Sequence, residues 1–397
     1  MKKRIFIAIH YLEIGGVEIS LIGLLNAIDY SRYEVDLFVY SHQGELMKLI
    51  PKEVNLLPEI PKYAQIEQPM TSALKRGYVD IVLARLWAKV RFASYVRRVK
   101  PKDGSAVFQY VANAVTPCLP SLHHLGMYDL AISFLTPHSI VLKKVQARKK
   151  IAWIHTDYSR IDVNAALELS VWNGYDYIAS ISPDVSRTFL SVFPSLQGKL
   201  VEIANILSPA FVRSRAEEKA DLSVFGDEAV KLLSIGRFTY PKNFDNVPDI
   251  LRRIREYGIN ARWYLIGYGG EESLIRQRIR EAGMENYVVI IGKKTNPYPY
   301  IQACDLYVQP SRYEGNSVTV REAQMLCKPV VVADYPTAAS QIQNGKDGVI
   351  VPLENETCAE GIVRVIGDAE LQSRLIQFLK AYDYGNENEV EKIYKLI

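Results

Sequence analysis

Two glutamates frame a short glycine-containing segment in the last third of the chain. Glu314 and Glu322 are separated by seven residues in the stretch EGNSVTVRE, which follows the apolar run LYVQPSRY. Gly315 permits a tight turn after a strand, and a helical pattern begins at Ser317. Carboxylates accept hydrogen bonds from hydroxyl groups, so one glutamate could hold a sugar and the other a ribose, with a phosphate at the helix N-terminus between them. Spacing alone favours a plainer alternative, a loop acid followed by an exposed helical glutamate.

A second segment offers positive charge. Gly236, Arg237 and Lys242 lie in the stretch GRFTYPKN, directly after the apolar run KLLSI. An arginine and a lysine in one loop can clamp two phosphates, and ligands of α/β sheets bind at the carboxyl ends of the strands. A solvated basic loop is the common alternative. The sequence has no Asp-x-Asp pair and no cluster of His and Cys, so we expect no metal and no cofactor.

Three weaker signals lie elsewhere in the chain. Gly15 and Gly16 precede an apolar helical stretch and permit close approach of a phosphate or an acceptor, although a simple turn explains them equally well. His155 ends the run KIAWIH, where it could exchange a proton, whereas a packed or surface histidine is the usual explanation. The segment Gly267–Gly270 resembles part of a dinucleotide fingerprint, but the acidic pair after it would repel a pyrophosphate, so we interpret it as a turn.

The first half of the chain is basic. Residues 1–180 carry 22 Lys and Arg against 16 Asp and Glu, whereas the remainder carries 26 against 28. This surplus favours an anionic partner, either a phosphate-bearing ligand or a lipid surface, and no nucleic-acid-binding motif accompanies it. Val82, Leu86 and Val90 share one helical face, which suits an anionic membrane and equally a core-packed helix with a solvated basic side. The candidate membrane-surface residues are Arg85, Trp87, Lys89, Arg91, Arg97 and Arg98, and the basic stretch continues to Lys102.

The elements that must position these residues are strands alternating with helices. The chain has 397 residues, of which 48% are hydrophobic and 23% charged, and this predicts two globular domains. Near-continuous apolar runs such as VVIIG are typical of parallel sheets covered on both faces, so we expect two doubly wound α/β domains that face each other across a cleft. The polar stretch Leu207–Val230 is the predicted linker. The predicted strands are Arg4–His10, Val35–Tyr40, Leu130–Phe134, Ile151–His155, Tyr177–Ile181, Lys231–Ile235, Ala261–Ile266, Tyr287–Ile291, Leu306–Gln309 and Pro329–Ala333.

Location is predicted from what the sequence lacks. No apolar run approaches the ~18 residues of a membrane-spanning helix, and the basic N-terminus has no small-residue cleavage site. The four cysteines are far apart and fit neither a zinc site nor a disulfide framework. We therefore expect a cytoplasmic protein that works in a reducing environment.

The motifs together resemble the retaining glycosyltransferases of family 4, which have the GT-B fold of two Rossmann-like domains around a central cleft. The resemblance is carried by the two-glutamate element, the GR…PK loop, the Gly-Gly loop, His155 and the segment KPVVVADYPTAASQIQNGKDGVIVP. It spans nearly the whole chain and is strongest from about Leu232 to Pro352. The version EGNSVTVREAQ resembles that of bacterial capsular and exopolysaccharide transferases.

The resemblance implies a division of labour between domains. Residues 1–206 would bind the acceptor, residues 207–379 would bind a nucleotide-sugar donor, and a C-terminal helix of about 380–397 would pack back on the first domain. Glu314, His155, Arg237 and Lys242 would be the catalytic residues, with His155 and Gly16 approaching from the acceptor domain.

The resemblance also implies the contacts of the donor. Arg237 and Lys242 would contact the diphosphate, and Glu322 the ribose hydroxyls. Glu314 and the backbone N–H groups of Asn316–Val318 would contact the sugar and phosphate, while a loop after VVIIG would border the base. The full implied donor set is Gly236, Arg237, Lys242, Lys293, Lys294, Glu314, Gly315, Asn316, Ser317, Val318 and Glu322.

The resemblance implies transfer of a hexosyl group from a nucleotide sugar, with retention of the anomeric configuration and without a metal ion. The donor would be a UDP-sugar, because that is the usual donor in this family. A lipid-linked or polysaccharide acceptor would receive the hexosyl group, in the cytoplasm or at the cytoplasmic face of a membrane. Two alternatives stay open at this stage. One is a catalytically silent GT-B protein that holds a nucleotide sugar or a partner, and the other is a GT-B nucleotide-sugar 2-epimerase.

Overall fold

The structure is a computed structural model that describes residues 2–101, 103–225 and 228–397. The chain divides into two compact units, and each is built on a parallel sheet. The first unit comprises the chain up to Ile206 together with Glu387–Ile397, and the second comprises Leu207–Asn386. The predicted class, two doubly wound α/β domains, is confirmed. Lys102, the end of the predicted basic stretch, lies outside the described residues.

The first unit has a sheet of seven parallel strands in the order β3-β2-β1-β4-β5-β6-β7. Its central strands are buried on both faces, which is why they read as continuous apolar runs. The strands are β1 Lys3–Ile9, β2 Tyr33–Val39, β3 Asn55–Leu56, β4 Met127–Ser133, β5 Gln146–Ile154, β6 Tyr177–Ser180 and β7 Leu200–Glu202. The helices are α1 Gly16–Ala27, α2 Pro61–Ala64, α3 Met70–Lys75, α4 Val79–Val99, α5 Val107–Val115, α6 Ser139–Lys144, α7 Ala165–Trp172 and α8 Pro183–Val192.

The second unit begins with a helix. α9 spans Pro209–Ala216 inside the stretch that was predicted to be a linker, and that prediction is wrong. Phe211 packs its ring at 6.3 Å from Tyr298, and the Arg213 guanidinium donates to the Met325 carbonyl, so the helix belongs to the fold of this unit. Its amphipathic pattern is weak because the helix is only eight residues long and mixes buried, half-buried and exposed positions.

The second sheet has six parallel strands in the order β10-β9-β8-β11-β12-β13. They are β8 Val230–Ile235, β9 Ala261–Ile266, β10 Val288–Gly292, β11 Leu306–Gln309, β12 Val330–Ala333 and β13 Val349–Val351. The remaining helices of this unit are α10 Val247–Glu256, α11 Glu272–Glu281, α12 Tyr298–Ala303, α13 Val318–Met325, α14 Ala338–Gln341, α15 Asn355–Gly367 and α16 Ala369–Ala381. A core that includes Trp263, Leu251 and Val308 lies against the sheet.

The chain returns to the first unit at Glu387. The predicted single helix of about 380–397 is instead a short 3-10 turn, Glu387–Glu389, followed by α17, Val390–Tyr394. Tyr394 stacks on Tyr33 with 4.2 Å between ring centroids, and its hydroxyl accepts the N–H of Asp29 at 2.7 Å. These contacts fix the C-terminal segment to the connection between α1 and β2 and to the start of β2.

Candidate functional site

The strand order of the second sheet reverses between β8 and β11. These two strands are neighbours, with Leu232 opposite Leu306, although 70 residues of chain and two other strands separate them in sequence order. Loops that leave the carboxyl ends of such a pair diverge and open a crevice, which is the usual ligand position in open α/β sheets. The GR…PK loop follows β8 and the two-glutamate segment follows β11.

An ion pair joins the two loops at this crevice. The Lys242 ammonium lies 2.6 Å from Oε1 of Glu314, and both side chains are four-fifths or more buried. The same carboxylate oxygen accepts hydrogen bonds from Ser311 Oγ at 2.6 Å and from Gln309 Nε2 at 3.2 Å. Glu314 is therefore held by three donors, and a lysine charge is placed at the switch point before any ligand arrives.

A second set of contacts fixes the turn that carries Lys242. The turn is a 3-10 segment, Tyr240–Lys242, and Asn243 after it has a left-handed backbone with φ 60°. The buried Asn243 amide donates to the Pro310 carbonyl at 2.9 Å. Arg312 donates its N–H to the Pro241 carbonyl at 2.8 Å and pairs through its guanidinium with both oxygens of Asp245, at 2.9 and 2.7 Å. Bidentate pairs of this kind restrict geometry as well as adding energy.

The glycines of the Gly267–Gly270 segment allow its backbone to pack closely against the backbone of the GR…PK loop. Phe238 donates its N–H to the Tyr268 carbonyl at 2.8 Å, so this segment lies directly against the GR…PK loop. A Cβ on Gly267 would lie 1.9 Å from the Gly236 carbonyl oxygen, and one on Gly269 would lie 2.4 Å from the Phe238 oxygen. The fingerprint-like spacing is thus explained by packing of two loops.

Arg237 differs from Lys242. Its side chain is exposed and makes no hydrogen bond or ion pair with any residue that the structure describes. It lies two residues beyond the end of β8, at the same edge as the Lys242–Glu314 pair. An unpaired guanidinium here retains its full capacity for a bidentate contact with an anion.

Glu322 is buried rather than exposed on its helix. It is 3% exposed, and Oε1 accepts the Tyr298 hydroxyl at 2.7 Å. Burial raises the pKa of the Glu322 carboxyl to about 7. The plainer alternative from spacing, an exposed helical glutamate, is therefore wrong, and the site contains a carboxyl group that is costly to keep charged.

At the N-terminus of α13, one backbone N–H group already donates to another side chain of the protein. Ser317 donates its N–H to Gln341 Oε1 at 3.1 Å and accepts the Gln341 amide on its carbonyl at 2.6 Å. Of the three N–H groups expected to meet a ligand, the one on Ser317 is therefore already engaged. Those of Asn316 and Val318 have no acceptor among the described residues.

Lys293 and Lys294 follow β10 and rest against aromatic rings. The Lys293 ammonium lies 4.8 Å from the ring centroid of Tyr268, and that of Lys294 lies 5.5 Å from Tyr300. Tyr268 belongs to the segment packed on the GR…PK loop, so Lys293 adjoins the same crevice. Their expected role beside a base stays a prediction.

The first unit contains the other expected residues. His155 follows β5, and its ring lies 4.8 Å from that of Phe134 and parallel to that of Trp153. Burial lowers the pKa of His155 to about 3, so it is a neutral imidazole at neutral pH. Gly16 begins α1, and Gly15 before it has an extended backbone with φ −165°, so the Gly-Gly pair needs no left-handed turn.

Helix α4 carries the predicted membrane-surface residues, with one correction. Arg85 is part-buried, and its guanidinium donates to the carbonyls of Gln65 and Gln68, so it does not face outward. The other five, Trp87, Lys89, Arg91, Arg97 and Arg98, are exposed. The apolar stripe also differs from the predicted one, because Val82 packs on the core while Leu83, with Leu86 and Val90, is exposed.

Sequence reasoning missed the residues that hold the site together. Gln309, Ser311 and Gln341 are buried polar groups that orient Glu314 and Ser317. A polar residue that ends an apolar strand, as Gln309 does, was a usable signal. The Arg312–Asp245 pair had none, because its partners are 67 residues apart.

Comparison with known proteins gives a match to a family model within the second unit. Residues 215–381 match the family model described as Glycosyl transferases group 1. The amylovoran biosynthesis glycosyltransferase AmsD of Erwinia amylovora is 26% identical over 172 residues, 43% of this chain and 48% of AmsD. The crystal structure of Anabaena HepE in complex with UDP-glucose has a TM-score of 0.68 at 17% identity and covers 99% of this chain and 100% of HepE. The chain has the GT-B fold. It resembles bacterial glycosyltransferases of polysaccharide biosynthesis, as the sequence predicted.

A further relative is named for a substrate linked to diphospho-undecaprenol. The N-acetylgalactosamine-N,N'-diacetylbacillosaminyl-diphospho-undecaprenol 4-alpha-N-acetylgalactosaminyltransferase of Campylobacter jejuni is 23% identical over 192 residues, 46% of this chain and 52% of that relative. The matched part of this chain thus spans about half the length of these curated relatives. In the described part of this GT-B chain, no helix is long and apolar enough to cross a membrane.

Proposed function

We propose that this GT-B protein is a retaining glycosyltransferase that moves a sugar from a UDP-sugar to a lipid-linked or polysaccharide acceptor in surface-glycan biosynthesis. The observation that carries the proposal is the Lys242–Glu314 pair at the switch point of the second sheet, with the unpaired Arg237 beside it. The family match of this unit, and the UDP or UDP-glucose in HepE complexes, support a nucleotide-sugar donor there.

The chemistry of transfer explains why two cations, one of them already held in place, suit this position. The bond between the sugar's anomeric carbon and the phosphate oxygen breaks, and negative charge grows on the departing diphosphate. A bond forms to the acceptor's hydroxyl oxygen, whose proton passes to the departing diphosphate. Lys242 and Arg237 would stabilise that charge without reorganising, because Lys242 is already held in place. We propose that these side chains, and no metal ion, neutralise the leaving group.

Glu322 would bind the ribose of the donor. A carboxylate accepts hydrogen bonds from a pair of hydroxyl groups, and donor binding would then supply the partners that favour its charged form. Glu314 would contact the transferred sugar, since Ser311 and Gln309 fix its position. His155 and Gly16 would belong to acceptor binding by the first unit.

The test is a transfer and hydrolysis assay with a panel of UDP- and GDP-sugars. We expect turnover of at least one UDP-sugar, undiminished by a chelator of divalent ions, and a loss of about 10²-fold or more in Arg237→Ala and Glu314→Ala. Arg280→Ala serves as the matched control, because Arg280 is an exposed arginine of the same unit on α11. A wild-type protein that binds UDP but turns over no donor would refute the proposal, and an isomerised nucleotide sugar formed without acceptor would indicate a 2-epimerase.

We further propose that α4 attaches the protein to the surface of an anionic membrane. Leu83, Leu86, Trp87 and Val90 are 46–69% exposed and follow the i, i+3, i+4, i+7 spacing of one helical face. Exposed apolar stripes flanked by Lys and Arg are typical of helices that lie in a lipid interface.

Flotation with liposomes tests this attachment. The protein should float with anionic phosphatidylglycerol vesicles at low salt and much less with neutral phosphatidylcholine, and the double variant Leu83→Glu/Val90→Glu should stay at the bottom. Flotation that is independent of lipid charge, or undiminished in the double variant, would contradict the membrane proposal while leaving the enzyme proposal intact.

A further inference from the structure

A cavity of about 220 Å³ opens in the first unit beside the carboxyl ends of β1 and β2. His10, which directly follows β1, and Tyr40 and Ser41, which directly follow β2, form one wall. Residues of α2 and of the turn after it form another, among them Tyr63 and Glu67. We call this space the His10 cavity. None of the residues assigned to catalysis or donor binding above lines it.

The wall of the His10 cavity holds polar atoms that the described chain leaves without hydrogen bonds. His10 Nε2, Tyr40 Oη and Ser41 Oγ are buried and have no partner among the described residues. Tyr40 is 2% exposed and Ser41 7%, so bulk water does not readily satisfy them. Each buried unpaired polar group destabilises the folded state, and native interiors retain few of them. Three such atoms around one cavity indicate an occupant with several hydroxyl groups.

The charges of the residues that line the His10 cavity indicate which class of ligand it can bind. Glu13 and Glu67 are acidic, and no lysine or arginine is among the described residues that line the cavity. Nδ1 of His10 contacts the Glu67 carboxylate, which holds that acid at the wall. A phosphate or a carboxylate would meet two like charges here and no fixed cation, although the first half of the chain is basic overall.

The aromatic side chains and the volume complete the description. His10 stacks on Tyr40 with ring centroids 5.5 Å apart, and Tyr40 lies 5.7 Å from Tyr63. These rings offer an apolar surface beside the polar atoms, which suits a sugar ring with its C–H face and hydroxyl rim. The volume is below the roughly 300–1,000 Å³ of pockets that hold drug-sized ligands, so a single monosaccharide ring fits the available space.

We propose that the His10 cavity binds one sugar residue that carries no anionic group. The inference rests on the proposed function, because that sugar would be a residue of the acceptor glycan, and it restricts the acceptor to a glycan that is uncharged at this position. The carboxylates accept hydrogen bonds from its hydroxyl groups, the three unpaired wall atoms supply further ones, and the same carboxylates reject uronic acids and phosphorylated sugars.

The experiment measures binding without any turnover. Saturation-transfer NMR is recorded with methyl glycosides of glucose, galactose, mannose and N-acetylglucosamine, and with the methyl glucuronide and galacturonide as charged counterparts. At least one neutral glycoside should bind, and its uronide should bind about tenfold more weakly or not at all. Tyr40→Phe, which deletes only a buried hydroxyl, should weaken the neutral glycoside about tenfold. Glu67→Gln should narrow the difference between the neutral and charged glycosides.

The variants separate a binding role from a structural one. Removing an unpaired buried hydroxyl should leave the melting temperature of the ligand-free Tyr40→Phe protein unchanged or raised, and its UDP-induced thermal shift unchanged. The inference is overturned if no glycoside binds, if uronides bind as well as neutral sugars, or if Tyr40→Phe leaves binding intact. Failure of the proposed function would be distinguishable, because glycosides would then bind while no nucleotide sugar is turned over.

Discussion

Replacing Glu322 by glutamine should stabilise the second unit and at the same time weaken its binding of UDP. The carboxyl is buried, with a pKa raised from 4.5 to about 7, so its charged form is disfavoured in the folded state. The folded protein therefore holds this proton at pH values where the unfolded chain has lost it, and stability falls as pH rises from about 4.5 through 7. Glutamine is neutral at every pH and keeps an oxygen that can accept the Tyr298 hydroxyl.

The size of the effect follows from the difference between the two pKa values. A difference of about 2.5 units corresponds to about 3 kcal/mol of unfolding free energy at pH 8 and to less than about 1 kcal/mol at pH 5. In a unit of this size the gain at pH 8 corresponds to a rise of roughly 6–12 °C in melting temperature. Loss of a charged acceptor for the ribose hydroxyls should weaken UDP binding by about 10- to 100-fold.

Chemical unfolding of wild type and Glu322→Gln at pH 5 and pH 8 measures the first quantity, and calorimetric titration with UDP measures the second. Glu285→Gln is the matched control, because Glu285 is exposed and makes no hydrogen bond or ion pair with any described residue. A variant that is destabilised at pH 8, or whose gain is the same at both pH values, would refute the assignment of a buried carboxyl with a raised pKa. Unchanged UDP affinity would refute its place at the ribose.

Three further predictions concern other residues of the two units. Lys242→Ala should reduce the rate of transfer about 10²-fold or more by removing a preorganised charge. The control Lys380→Ala, at an exposed lysine of α16, should not reduce that rate. Equal transfer rates in the two variants would contradict the role of Lys242. Gly267→Ala should lower the free energy of unfolding of the second unit by about 1–3 kcal/mol or more because its Cβ meets a backbone oxygen, while Gly270→Ala has open space and should be near neutral in urea unfolding. His155 should show no titration by NMR between about pH 5 and 8, since burial lowers its pKa to about 3; an inflection near its ordinary value of 6.5 would contradict that burial.

The fold was predictable because its strands are buried on both faces. Ala261–Ile266 and Leu306–Gln309 coincide with β9 and β11, since continuous apolar runs bounded by turns leave little ambiguity. The strands β3, β7 and β13 were missed because two or three residues show no periodicity. The polar pattern of α9 predicts a linker, and only the packing of this segment on α12 and α13 reveals the helix.

The site was predictable in its parts and not in its contacts. Lys242 and Glu314 were each identified by loop position, but nothing in a sequence indicates that residues 72 positions apart form an ion pair. Arg85 was assigned to a surface by its charge, whereas carbonyl groups 17 and 20 residues earlier in the chain bind it. Glu322 likewise accepts a hydrogen bond from Tyr298, which a different helix supplies. Tertiary structure decides these three cases.

A crystal structure of the protein with UDP tests the central claim most directly. We predict that the pyrophosphate lies against the Lys242 ammonium and the Arg237 guanidinium, with the ribose hydroxyls on Glu322, in crystals grown with or without magnesium. A pyrophosphate bound away from both side chains, or held by a magnesium ion in their place, would contradict it.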